Sequence, residues 1–179
     1  SSIITGRYPH NTGDASELHR AISWHIPSFP GKLRDAGYYT ALAGKDHMTW
    51  HPAPKGESAP TEPFDRKYGT KVKGNSGGHG FWIDALKDSP EGEPFFLWLA
   101  AMDAHRAWDG DREWDAELYG PMHDPESLTL PPAFVDTQAT REDFASYLNE
   151  VTRFDYFVGE VVDYLKENDL FEKTYLFVV

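Results

Sequence analysis

Two segments, Gly44-Lys45-Asp46-His47 and Met102-Asp103-Ala104-His105-Arg106, hold the residue types whose spacing could do chemistry. A lysine supplies a point charge, and a histidine two residues on can donate a hydrogen bond or move a proton near neutral pH. Together with a second histidine, that set suits holding and cleaving an oxyanion ester. Asp46 could raise the pKa of either neighbour or contact substrate, and Arg106 could touch an acidic substrate. His10 follows a proline-bearing turn and could line the pocket. His19, His25, His51, His79 and His123 have no partner at ligand spacing and read as surface or core residues. The acids from Asp103 to Asp124 lack the Asp-x-Asp-x-Asp-Gly order of an EF-hand and read as a solvated loop.

A lone Lys-x-His is more often solvated surface than catalysis, so its weight depends on the element before it. Pro30 to Gly37 reads as a short helix closed by a glycine cap, and Tyr38 to Ala43 as the strand after it. From His51 to about Gly80 a Pro/Gly-rich stretch reads as a long surface loop. A helix is expected at Phe81 to Lys87, then a strand over Phe95 to Ala101, whose continuous apolar run predicts cover on both faces. Asp103 to Pro132 reads as irregular. Phe144, Tyr147, Leu148, Val151, Phe154, Val158, Val161, Val162 and Leu165 recur at three- and four-residue spacing, which predicts one helix from about Arg141 to Glu167 with this stripe in the core. Thr174 to Val179 reads as a last buried strand. The alternation predicts an α/β fold, a mostly parallel sheet flanked by helices. Ligands in such sheets bind outside the carboxyl ends of the strands, where both chemical segments fall.

The 179 residues carry 17 Lys+Arg against 29 Asp+Glu, a formal charge of −12, with no cysteine, which excludes thiolate chemistry from this stretch. No basic stripe is present, so nucleic acid is not the expected partner. No apolar run approaches the ~18 residues that span a bilayer, and the first residues lack a signal-peptide layout. The start at Ser1, without methionine, and the finish on an apolar run read as an internal piece, a single partial catalytic domain over 1–179.

Ser1-Ser2-Ile3-Ile4-Thr5-Gly6-Arg7 resembles the second half of the type I sulfatase signature, which runs Cys or Ser, any residue, Pro-Ser-Arg, four residues, then Thr-Gly-Arg. Gly44-Lys45-Asp46-His47 resembles the family's Gly-Lys-x-His, and Asp103-Ala104-His105-Arg106 its Asp-Pro-His-Arg. Pro131 to Val179 is similar to the stretch leading into the Ser/Thr-Asp-Asn/His-Gly metal loop. The resemblance implies an alkaline-phosphatase-like fold and a calcium-dependent hydrolase of sulfate esters whose nucleophile is a formylglycine. By matching position that formylglycine lies upstream of Ser1, and the Ca²⁺ ligands are expected outside the chain. Lys45 would bind a sulfate oxygen and help the leaving group, His47 would contact the formylglycine diol and assist elimination, and His105 would donate to the sulfate or ester oxygen. The sequence departs from the pattern at Ala104, where the family has proline, at Met102, where some members have histidine, and at Asp46, often an aromatic position. The expected substrate is a small-molecule or glycan sulfate ester, and the family resemblance implies a periplasmic, secreted or lysosomal protein. Two alternatives stay open: a phosphoester or phosphonate-ester hydrolase on the same scaffold, and a catalytically inactive piece or sulfated-glycan binding module.

Overall fold

Leu42 and its neighbours in Tyr39–Gly44 are buried at every position, on both sides of the pleat. A strand buried on both faces belongs at the centre of a parallel sheet. In the computed structural model, which describes residues 1–60, 62–70, 77–108 and 114–179, this strand (β1) lies between two parallel partners. They are β2, Arg66–Tyr68, and β3, Phe95–Ala100. The register sets Ala41 opposite Arg66 and Leu97, and Gly44 level with Ala100. The chain divides into two compact units, and the sheet belongs to the first, which holds the described residues up to 70 together with 84–100.

Local chemistry explains the entry to β1. Ser28 caps α2, Phe29–Asp35, by accepting the Gly31 N–H at 3.0 Å. Pro30 in its first turn forfeits an N–H that has no helical partner anyway. The helix stops at Ala36, the Tyr38 N–H returns to the Leu33 carbonyl at 3.0 Å, and the chain turns directly into β1. Asp65 then fastens β1: it accepts the Thr40 N–H (2.9 Å) and hydroxyl (3.0 Å) and pairs with Arg34 Nε at 2.5 Å. The core gathers Ile4, Ile22, Ile26, Leu42, Met48 and Phe64. Each such side chain contributes roughly 1.5–3 kcal/mol on burial. Ile4 comes from α1, Ser2–Thr5, which ends at Gly6 in the left-handed conformation (φ 66°). Gly13 has a stricter need: φ is +73° and a Cβ would lie 1.9 Å from Ser23 Oγ.

The polar stretch expected as a loop from His51 to about Gly80 contains β2, and residues 61 and 71–76 of that stretch lie outside those described. Ladder hydrogen bonds to β1 hold Arg66, Lys67 and Tyr68 extended, although their side chains carry no apolar alternation. β3 matches the expected bounds but is half-buried along its length rather than covered on both faces. Helix α3 spans Trp82–Lys87, with Ala85 and Leu86 buried.

The second unit holds residues 77–83 and the described part of 101–179. Its main element is α5, Gln138–Glu167, capped by Thr137, which accepts the Thr140 N–H at 3.2 Å. The expected stripe is present in part: Phe144 stacks on Tyr147, and Phe154 meets Trp82 edge-on. Val151 is exposed, however, and the deepest face of the helix carries Asn149, Glu150 and Arg153 alongside Ala145, Val161 and Leu165. Within the stretch expected as irregular, α4 forms at Ala116–Tyr119, with Asp115 as its cap. Residues 109–113, with three of the acids counted there, lie outside those described.

Thr174 to Val179 is not a strand. Among the described residues it has no ladder partner, and Tyr175 (91% exposed) and Phe177 (80%) face solvent. β propensity alone does not make a strand, because extended backbone needs a neighbour for its N–H and C=O groups.

Candidate active site

In the first unit the Lys45–His47 loop leaves the end of β1. The Lys45 N–H donates to the Ala100 carbonyl at 3.1 Å, extending the β1–β3 pairing one residue past Gly44. Asp46 then turns the chain. Its Oδ1 accepts the Met48 N–H at 2.9 Å, a local turn that aspartate side chains favour, and its Oδ2 lies 3.1 Å from Lys67 Nζ on β2. With its side chain only 14% exposed, the Asp46 carboxylate is committed to the loop and to Lys67. Met48 is buried in the core, so the loop is held at both ends, with Lys45 half-buried and His47 exposed between them.

A second segment runs beside this loop. Ile22 bridges Trp50, with its N–H on the Thr49 carbonyl (2.8 Å) and its carbonyl accepting from His51 (2.9 Å). On the same segment the His19 ring lies edge-on to His47, with centroids 5.3 Å apart. His19 has φ 62°, a left-handed conformation uncommon outside glycine. His51 also has a partner, Asp14 Oδ2 at 3.1 Å from Nε2. His10 sits in a short turn over Pro9–Asn11, exposed and stacked on Tyr8 at 5.7 Å.

In the second unit the turn Met102–Arg106 carries the other histidine. The His105 N–H donates to the Met102 carbonyl at 2.8 Å, and the Met102 N–H to the Gly77 carbonyl at 2.6 Å. The exposed His105 ring donates from Nδ1 to the Arg106 carbonyl. That bond keeps the neutral ring's proton on Nδ1, so Nε2 donates only when the ring is protonated. Arg106 forms a fork on Asp143, Nη1 to Oδ1 at 3.0 Å and Nη2 to Oδ2 at 2.5 Å, and its face covers Trp108 at 3.9 Å. An anion binding at Arg106 would compete with Asp143 for that fork.

Behind the turn lies a buried cluster. The Asp103 side chain, fully buried, accepts from Arg153 Nε (2.8 Å) and Nη2 (3.1 Å) and from the Gly77 N–H (2.5 Å). His79 Nδ1 lies 3.8 Å from Asp103 Oδ2, and its ring stacks on Phe157 at 3.6 Å. Burial pushes the His79 imidazole down to about 4, outweighing the attraction of Asp103. The Arg153 guanidinium is held above its ordinary value: burial opposes the charge, and the hydrogen bonds and charge of Asp103 prevail.

The sulfatase family model matches residues 1–179. The chain belongs to the sulfatase family. It is also 26% identical, over 201 residues, to the N-sulphoglucosamine sulphohydrolase of Homo sapiens, covering 97% of this chain and 38% of that protein. The chain thus spans well under half the length of this relative.

The described residues of this sulfatase chain do not make a calcium site. Among them no group of three or more His, Asp or Glu is placed to hold a metal ion, and Asp46 and Asp103 already face cations of the protein. Sequence reasoning singled out Lys45, His47 and His105 but missed the groups that contact their segments. Lys67 stands in an unexpected strand, Arg153 is a polar residue on the buried face of α5 that the apolar stripe does not include, and His19 lies beside His47 from a segment distant in sequence. The one signal in the sequence was the aspartate preceding each histidine, Asp46 and Asp103.

Proposed function

We propose that the protein containing this sulfatase domain hydrolyses sulfate esters through a formylglycine nucleophile, with a sulfated sugar as substrate class. The observation that carries the reading is the family match over residues 1–179, which takes in the loop fastened at the end of the central strand. In this reading the formylglycine, upstream of Ser1, supplies the attacking oxygen. Lys45 holds a sulfate oxygen by charge and steadies the leaving oxygen as negative charge develops on it. His47 moves the proton needed as sulfate departs. A protonated His105 donates from Nε2 to the sulfate or ester oxygen, its Nδ1 being fixed on the Arg106 carbonyl. The relative's name adds glucosamine sulfated on nitrogen, a sulfamate rather than an ester, as a second substrate to try.

Turnover by the whole protein of an aryl sulfate, an aryl phosphate, and O- and N-sulfated glucosamine tests this. Sulfate turnover that Lys45→Ala, His47→Ala and His105→Ala each lower about 10²-fold or more, in folded protein, is the expected result. A strong preference for phosphate would overturn it, as would full activity in the three variants.

A further inference from the structure

We propose that Asp103 and Arg153 are positioning residues for His105, a role that rests on the sulfatase reading and adds a second layer to it. The pair is buried, with 0% of the Asp103 and 5% of the Arg153 side chain exposed, yet it lies two residues before an exposed histidine. A buried ion pair is a weak source of stability, since desolvating both charges offsets most of their attraction. Its distinctive property is direction. A guanidinium fork on a carboxylate fixes two planes at once, and here the fork runs from α5 to the turn that presents His105.

The same carboxylate gathers contacts at the start of the turn, while Arg106, at its end, is held separately by Asp143 of α5. Oδ1 takes the Gly77 N–H as well as Arg153 Nη2, while the Gly77 carbonyl takes the N–H of Met102. The Met102 carbonyl in turn takes the N–H of His105. From α5 to the His105 backbone the chain of contacts is therefore Arg153, Asp103, Gly77, Met102, His105. His79 adds a wall, stacked on Phe157 of α5 and 3.8 Å from Asp103. Asp46 does the corresponding work for Lys45 and His47 in the first unit, with Lys67 as its cation.

The test separates orientation from stability and from the catalytic reading itself. In the whole protein, Arg153→Lys keeps the charge and loses the fork, and is expected to lower kcat about 10- to 100-fold, with KM within about twofold. Arg153→Met alone leaves a buried carboxylate unpaired and is expected to lower Tm. Adding Asp103→Asn should restore Tm without restoring kcat. In a His105→Ala background, Arg153→Lys should cost nothing further, because residues acting as a unit are non-additive. Wild-type kcat in Arg153→Lys, recovery of kcat together with Tm in the double variant, or a full additional loss in the His105→Ala background would each overturn the proposal. If His105→Ala itself turns over normally, it is the catalytic reading that fails. The His105 ring resonances then serve as the readout: altered shifts or line widths in Arg153→Lys support positioning, and unchanged ones refute it.

Discussion

Acidification from pH 6.5 to 4 should destabilise this protein through His79. Its ring is buried to 11% exposure, stacked on Phe157 and edge-on to Trp82, and its pKa in the folded protein is about 4 against 6.5 for a free imidazole. Between those values the unfolded chain binds a proton that the folded one refuses. The slope of unfolding free energy with pH is therefore positive in that window, and stability is lost as pH falls. A displacement of this size is worth at most about 3 kcal/mol at 1.36 kcal/mol per unit, and the exposed edge of the ring reduces it further. Asp103 at 3.8 Å favours the proton and Arg153 disfavours it, so burial decides the sign. Urea denaturation at closely spaced pH values, for the wild type and for His79→Phe, isolates this group from the carboxylates that titrate in the same range. The difference between the two proteins should be flat above pH 6.5 and move against the wild type below it. A difference that stays constant from pH 7 to 4, or that favours the wild type in acid, would refute a neutral buried imidazole.

Two further outcomes follow from local geometry. Gly13→Ala should cost about 1–3 kcal/mol by chemical denaturation, and Ser23→Gly in the same chain should return only part of it. The clash with Ser23 Oγ is relieved, while the left-handed backbone at Gly13 is not. At the Lys45–His47 loop, Lys67→Met and Asp46→Ala should each lower turnover of the whole protein, Asp46→Ala the more because it also removes the acceptor of the Met48 N–H, and combine non-additively, because they share the Asp46–Lys67 contact. If Asp46 instead touches substrate, Asp46→Ala will raise KM while Lys67→Met leaves it unchanged.

The elements that were legible in the sequence are those marked by an apolar run or an apolar period with end signals. The all-apolar run of β3, the strand after Gly37, and α5 fall within two or three residues of their expected bounds, because hydrophobic pattern and end signals agree there. β2 was illegible because Arg66-Lys67-Tyr68 is made by its ladder rather than by its side chains. Thr174 to Val179 misled in the opposite direction, with strand-forming residues and no ladder partner among the described residues. The polar face of α5 was hidden by the apolar stripe: Asn149 accepts the His123 N–H at 2.9 Å and Arg153 meets Asp103, contacts across 26 and 50 residues that no local spacing announces. Lys45, His47 and His105 were legible as types in short motifs, whereas their supports depend on tertiary neighbours.

The all-parallel order β2-β1-β3 also governs how the sheet can assemble. Ala41 must find Arg66 on one side and Leu97 on the other, so neither ladder can start from a hairpin. Each requires a long loop to close before its first hydrogen bond forms, an entropic cost met early and recovered late. The thirty residues of α5, by contrast, gain their bonds from neighbours four positions away, on the roughly microsecond timescale of helix formation. Refolding therefore has a built-in order: helical signal from α5 comes early, and the strand that leads into Lys45 is among the last elements committed.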